Sequence, residues 1–214
     1  MGSLLIPAGL ALWLLVLLFF RSHRNWLPFY VIGSVGLAFA FIAGARQSIP
    51  IEVLNLQAFS LEDLLKSITA STVHWIATLV NVETRTFAAV PGSLMVRVMP
   101  QDMGWTVLNI GIESSGVLEM AVLAGMVGFY PGWSLKKRVF GVGVGILATY
   151  VANVVRITFI VSSLHWGGKD FLFISHTVLG RAMFFIMVVA IFWFVLSLPT
   201  MRTIYLKIQG EVPR

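Results

Sequence analysis

Three polar sites interrupt an otherwise apolar chain. Glu113-Ser114-Ser115-Gly116 stands directly before the run Val-Leu-Glu-Met-Ala-Val-Leu-Ala-Gly-Met, so a carboxylate and two hydroxyls open an apolar helix. Further on, Asn153-Val-Val-Arg156-Ile157 sets an amide and a guanidinium three residues apart, on one helical face with Thr149. His176 precedes Thr-Val-Leu-Gly180-Arg181 at the mouth of another apolar run. A hydroxyl, an imidazole and a fixed cation are the parts needed for acyl transfer. The hydroxyl attacks a carbonyl carbon, the imidazole takes its proton, and the cation holds the oxyanion that forms.

Each group also has a plainer role. An arginine near a helix end can snorkel to the interface. Buried at a helix centre it costs roughly 2.5–3.5 kcal/mol, which favours a function for the Asn153/Arg156 stripe. A lone histidine at a helix mouth is more often a solvated end residue, so His176 gains weight only from its company. His74 and His165 compete for the role of base, the first within a helix of the long insert and the second in a loop before Trp166-Gly-Gly-Lys. Glu119, one turn inside its helix, serves equally well as a helix–helix hydrogen-bonding group or as a partner for Arg156. No metal-ligand spacing occurs among the His and Glu residues, and no cofactor is implied. Gly141-Val-Gly-Val-Gly145 lacks the strand and the later glycine of a nucleotide loop. Its GxxxG spacing fits close helix packing instead.

The elements that must carry these residues are membrane helices. The 214 residues are 58% hydrophobic and 11% charged, against about 25% charged in soluble domains; mean hydropathy is +0.90. The net charge of +6 would suit nucleic acid, but the basic residues sit at helix ends and form no continuous face, so nucleic acid is not expected as a partner. The absence of cysteine excludes disulfides, thiolate metal sites and thiol nucleophiles.

Apolar runs at 3–20, 27–45, 115–132, 139–160 and 179–198 predict an all-α polytopic protein of about five transmembrane helices, a single membrane domain over 1–214. The first run lacks a basic leader and a small-x-small site, and is expected to be retained. With alternating spans, Arg21, Arg24, Lys136, Lys137, Arg138, Arg202, Lys207 and Arg214 share one side, which is therefore cytoplasmic. The N-terminus then lies outside, the C-terminus inside, and Ser114, Arg156 and His176 all lie toward the extracytoplasmic face of the plasma membrane. Residues 46–114 form an extracytoplasmic insert. Ser60-Leu-Glu-Asp63 starts a helix to about Val82 that is expected to lie along the interface, the crossing alternative being kept open. Strands are expected over 84–90, 94–98 and 106–112, with Pro91-Gly92 as a turn.

In order and spacing the three sites resemble the exosortase/archaeosortase family of membrane-embedded transpeptidases. That family carries Cys-[Ser/Ala]-Gly at the start of a helix, then Asn-x-x-Arg-Ile, then a His followed by Gly near the last helix. Here the motifs read Ser114-Ser115-Gly116, Asn153-Val-Val-Arg156-Ile157 and His176-Thr-Val-Leu-Gly180, over about residues 50–198. The short length is similar to the compact variants of Gram-positive bacteria. The resemblance implies cleavage of C-terminal sorting signals on exported proteins through an acyl-enzyme. Ser114, Arg156 and His176 would be catalytic, with Glu113, Ser115, Gly116, Glu119, Asn153 and Gly180 binding or supporting, and with the bilayer and the exported proteins as partners. Serine at the cysteine position leaves three readings: an engineered Cys→Ser change that traps substrate, a natural serine nucleophile, or a non-catalytic relative. The rival outside the enzymes is a membrane scaffold or partner in surface-polymer assembly, in which these polar groups only pack helices. The sequence assigns no oligomeric state.

Overall fold

Helices dominate the computed structural model, which describes residues 5–22, 26–45, 48–49, 59–87, 90–99, 104–111 and 114–210. In chain order the elements are α1 (Leu5–Ser22), α2 (Trp26–Ala45), β1 (Ser48–Ile49), β2 (Phe59–Ser60), α3 (Leu61–Leu79), β3 (Thr84–Thr86), β4 (Ser93–Val98), β5 (Gly104–Asn109), α4 (Val117–Gly128), α5 (Leu135–Phe173), a π-helical turn Ile174–Leu179, α6 (Gly180–Phe192), a second π-helical turn Trp193–Ser197, and α7 (Leu198–Ile208). Two stretches, Trp26–Gly44 and Leu135–Leu206, are long and apolar enough to cross a membrane, and the apolar helices Gly9–Arg21 and Val117–Gly128 are shorter. The chain divides into two compact units: residues 1–43, 119–148 and 189–214, and residues 44–118 and 149–188.

The first unit is built on close helix approach. Trp13 Nε1 donates to the Ile32 carbonyl at 2.9 Å, and its ring meets Phe129 edge-on. A Cβ on Gly125 would overlap the Ser34 carbonyl, and Cβ atoms on Gly141 and Gly145 would press on Val127 and Leu123. The small residues of α5 thus face α4, as their spacing implied. These contacts set opposite signs for two similar substitutions. Gly125→Ala is expected to lower stability by about 1–3 kcal/mol, because backbone cannot yield to the added methyl. Gly143→Ala, with nothing within 4 Å, is expected to raise it by about 0.5–1 kcal/mol through helix propensity. Thermal unfolding in detergent reads both.

The second unit places α3, the small sheet and the second half of α5 around one core. Ser60 caps α3, accepting from the Asp63 amide at 3.0 Å, as the capping sequence predicts. Ala70, Val73 and Ala77 of α3 pack with Leu94, Val96 and Val98 of β4, and with Val154, Ile157, Val161 and Leu164 of α5. The sheet is antiparallel in the order β3-β4-β5. Its strands overlap the expected ones: β3 ends early at Thr86, β4 starts one residue earlier at Ser93, and β5 is displaced toward the N-terminus, from Gly104 to Asn109.

Two expectations about the helices change. The segment after residue 160, expected to leave the helix, stays helical up to Gly168 and resumes after it to Phe173. At this kink Gly168 has a φ of 79° and a ψ of −175°, a region essentially restricted to glycine. Pro199, expected to follow the last helix, instead lies in its continuation. The wide turn Trp193–Ser197 loosens the ladder just ahead of it, where a residue without an N–H is tolerated.

Candidate functional site

One face of α5 carries the polar stripe inward. Thr149, Asn153 and Arg156 are 1%, 0% and 6% exposed, beside buried Ile157 and Ile160, while Val151 and Val155 point out. The backbone spacing that groups the three polar residues therefore turns them toward the core of the second unit and not toward an apolar solvent.

Asn153 fixes the serine corner. Its Nδ2 donates to the Ser114 carbonyl at 2.9 Å, and the Ser114 amide donates to the Gly111 carbonyl at 3.0 Å. Gly116 has a φ of 75°, and a Cβ there would lie 3.3 Å from Asn153 Cβ and Cγ. The left-handed backbone favours glycine here, and a side chain would crowd Asn153, which would have to give by a few tenths of an ångström. Ser115 is buried at the same corner, and Val117 begins α4 immediately after it.

Ser114, Arg156 and His176 line one narrow cavity of about 10 Å³, together with Leu108, Asn109, Ile110, Ile157 and Ile160. That is room for about one water. Arg156 also lies over the Phe184 ring, 5.1 Å from its centroid. His176 sits in the π-helical turn, a geometry often found where a helix is bent to serve a site. Gly180 closes that turn: its amide donates to the Ser175 carbonyl, and a Cβ there would lie 2.7 Å from the same oxygen and 3.2 Å from Ile160 Cδ1.

The other candidates have separate places. His165, expected in a loop, is 1% exposed on α5. Its Nδ1 bonds the Arg97 carbonyl and its own carbonyl accepts from Met99 at 3.0 Å, so it ties α5 to the end of β4. His74 bonds Thr84 Oγ1 at 2.6 Å and lines an open hollow of about 530 Å³ with Arg85 and Trp105. Glu119 belongs to the first unit, where its Oε2 is buried with no hydrogen-bond partner among the described residues. Glu113 lies outside the described residues. Among the described residues, no group of His, Asp and Glu could hold a metal ion.

Asn109 lines the cavity and was not singled out from the sequence. It accepts through Oδ1 from Ser93 Oγ at 2.8 Å, which leaves its Nδ2 as a donor. The only sequence signal was an amide near the end of an expected strand just ahead of the serine corner. No family model, curated protein or solved structure matches this chain.

Proposed function

We propose that the chain is a multi-pass membrane transpeptidase of the kind its motifs resemble, acting on C-terminal sorting signals of exported proteins at the extracytoplasmic face. The observation that carries this reading is the shared cavity of Ser114, Arg156 and His176. Exposed apolar side chains along α1, α5 and α6, among them Leu15, Leu147 and Phe185, suit a surface solvated by lipid.

In this mechanism the nucleophile at position 114 attacks the scissile carbonyl carbon, and His176 takes its proton. The tetrahedral oxyanion rests against the Arg156 guanidinium, where a fixed charge in a nearly dry site has most effect. The C–N bond then breaks as His176 returns the proton to the leaving amine, and the acyl group stays on residue 114. An acceptor amine or hydroxyl repeats the steps in reverse and carries the acyl group away. A serine hydroxyl is far less acidic than a thiol, so with Ser114 the reaction depends on His176 as base, whereas a cysteine would draw thiolate character from Arg156.

The test is Ser114→Cys, co-expressed with an epitope-tagged exported protein of the same genome that ends in a sorting signal. A covalent acyl-enzyme and shortened product are expected, and His176→Ala should abolish both. If Ser114→Cys yields neither adduct nor product, residue 114 is not a nucleophile.

A further inference from the structure

In the sheet of the second unit β4 is central, so β5 is an edge. The phase of the ladder fixes which way each peptide group of β5 points. The Ile110 amide donates to the Gly92 carbonyl at 2.9 Å, and Asn109, Val107 and Trp105 lie opposite Ser93, Met95 and Arg97. Antiparallel partners alternate between bonded and non-bonded pairs. Leu108, Thr106 and Gly104 therefore turn their N–H and C=O groups to β4, and Asn109, Val107 and Trp105 turn theirs outward. The other side of β4 agrees: the Arg97 amide donates to the Glu83 carbonyl at 3.0 Å, which assigns residues 95 and 97 to β3 and leaves 94, 96 and 98 for β5.

Among the described residues no strand and no backbone hydrogen bond fills the outer edge of β5. Val107 is 50% exposed there. Edge strands are commonly guarded by charge, proline or a bulge. Gly104-Trp-Thr-Val-Leu-Asn109 contains neither charge nor proline, and its register with β4 runs unbroken. The edge also leads to one place: Asn109 and Ile110, where it ends, line the cavity of Ser114, Arg156 and His176.

We propose that an extended segment of the substrate docks as a fourth strand on the outer edge of β5 and so delivers its scissile bond to Ser114. The inference rests on the acyl-transfer reading and names how that site takes its substrate. The outward peptide groups of Trp105, Val107 and Asn109 bond the substrate backbone whatever its side chains are, and its alternate side chains meet the site walls. Recognition through main chain suits an enzyme that must accept several exported proteins. It also aligns the substrate carbonyl with the end of the strand, where the nucleophile stands.

Val107→Pro tests this directly, because the lost N–H is an outward one and the β4–β5 ladder keeps all its bonds. In the full-length Ser114→Cys protein, with the same tagged exported protein as probe, KM is expected to rise about tenfold with kcat nearly unchanged, as for one lost hydrogen bond and a local clash. Val107→Pro should unfold thermally as the parent does. Unchanged processing by Val107→Pro overturns the docking edge while leaving the acyl-transfer reading in place. A Ser114→Cys parent that processes nothing overturns both. Should Val107→Pro fail to fold, oxidative cross-linking decides. The chain has no cysteine, so Val107→Cys in the Ser114 protein offers a single thiol to cysteines placed one at a time along the probe. Yields that peak at every second residue support a strand, and an even or absent yield overturns it.

Discussion

In the Ser114→Cys protein, Arg156→Ala is expected to lower kcat by about 10²–10³-fold while KM changes little, the signature of a group that acts on the transition state alone. The guanidinium is largely withdrawn from bulk water: the residue is 6% exposed, its charge lies over the Phe184 ring, and it lines the cavity with Ser114 and His176. A charge held in so little water opposes an oxyanion with minimal reorganisation. Arg156→Lys should recover only part of the rate, because an ammonium offers a point charge where the guanidinium offers a planar fork. Single-turnover acylation of the tagged exported protein measures the effect. If Arg156→Ala raises KM and leaves kcat intact, the arginine binds ground-state substrate and another group must hold the oxyanion.

How much of this could be read from the chain depended on whether the determinant was local. Ser60 caps α3 because the capping signal is contained within four residues. The Gly141 and Gly145 contacts with α4 follow from a four-residue spacing. The Asn153/Arg156 stripe follows from one helical face. Where the deciding partner was distant, the sequence misled. Ser162-Ser-Leu-His165-Trp-Gly-Gly has the composition of a loop, yet it stays helical as far as the break at Gly168, with His165 bonded to the Arg97 carbonyl at the end of β4. Pro199 looked like a stop, and the π-helical turn before it absorbs the missing donor. Asn109 could not be chosen over any other strand amide, since its place at the cavity depends on the β4–β5 register and on where α5 packs. The five-span pattern was inferred from apolar runs and its orientation from loop charges. By length and composition, two helical stretches among the described residues meet the requirement for crossing.

Asn153→Ala separates a catalytic corner from a merely packed one. The amide is fully buried and holds the Ser114 carbonyl, so its loss leaves a buried acceptor unpaired beside a new void. Stability should fall by about 2–4 kcal/mol, seen as a lower thermal midpoint in detergent. Gly116→Ala should cost about 1–3 kcal/mol for its left-handed backbone, and more because its Cβ meets Asn153 at 3.3 Å. The two effects share a contact and will not add. In the Asn153→Ala protein the contacts with Asn153 Cγ and Nδ2 are gone while the one with Cβ remains, so part of the steric cost of Gly116→Ala is relieved, giving a coupling of about 0.5–1 kcal/mol. Both a scaffold and an enzyme predict this coupling in stability. Only the enzyme predicts that the rate of acylation, measured in Ser114→Cys below the unfolding range, falls in each single variant because residue 114 is no longer held beside Arg156 and His176. The scaffold predicts that Arg156→Ala and Asn153→Ala differ only in how far they lower the melting point. The enzyme predicts that Arg156→Ala removes the reaction from a protein that still folds.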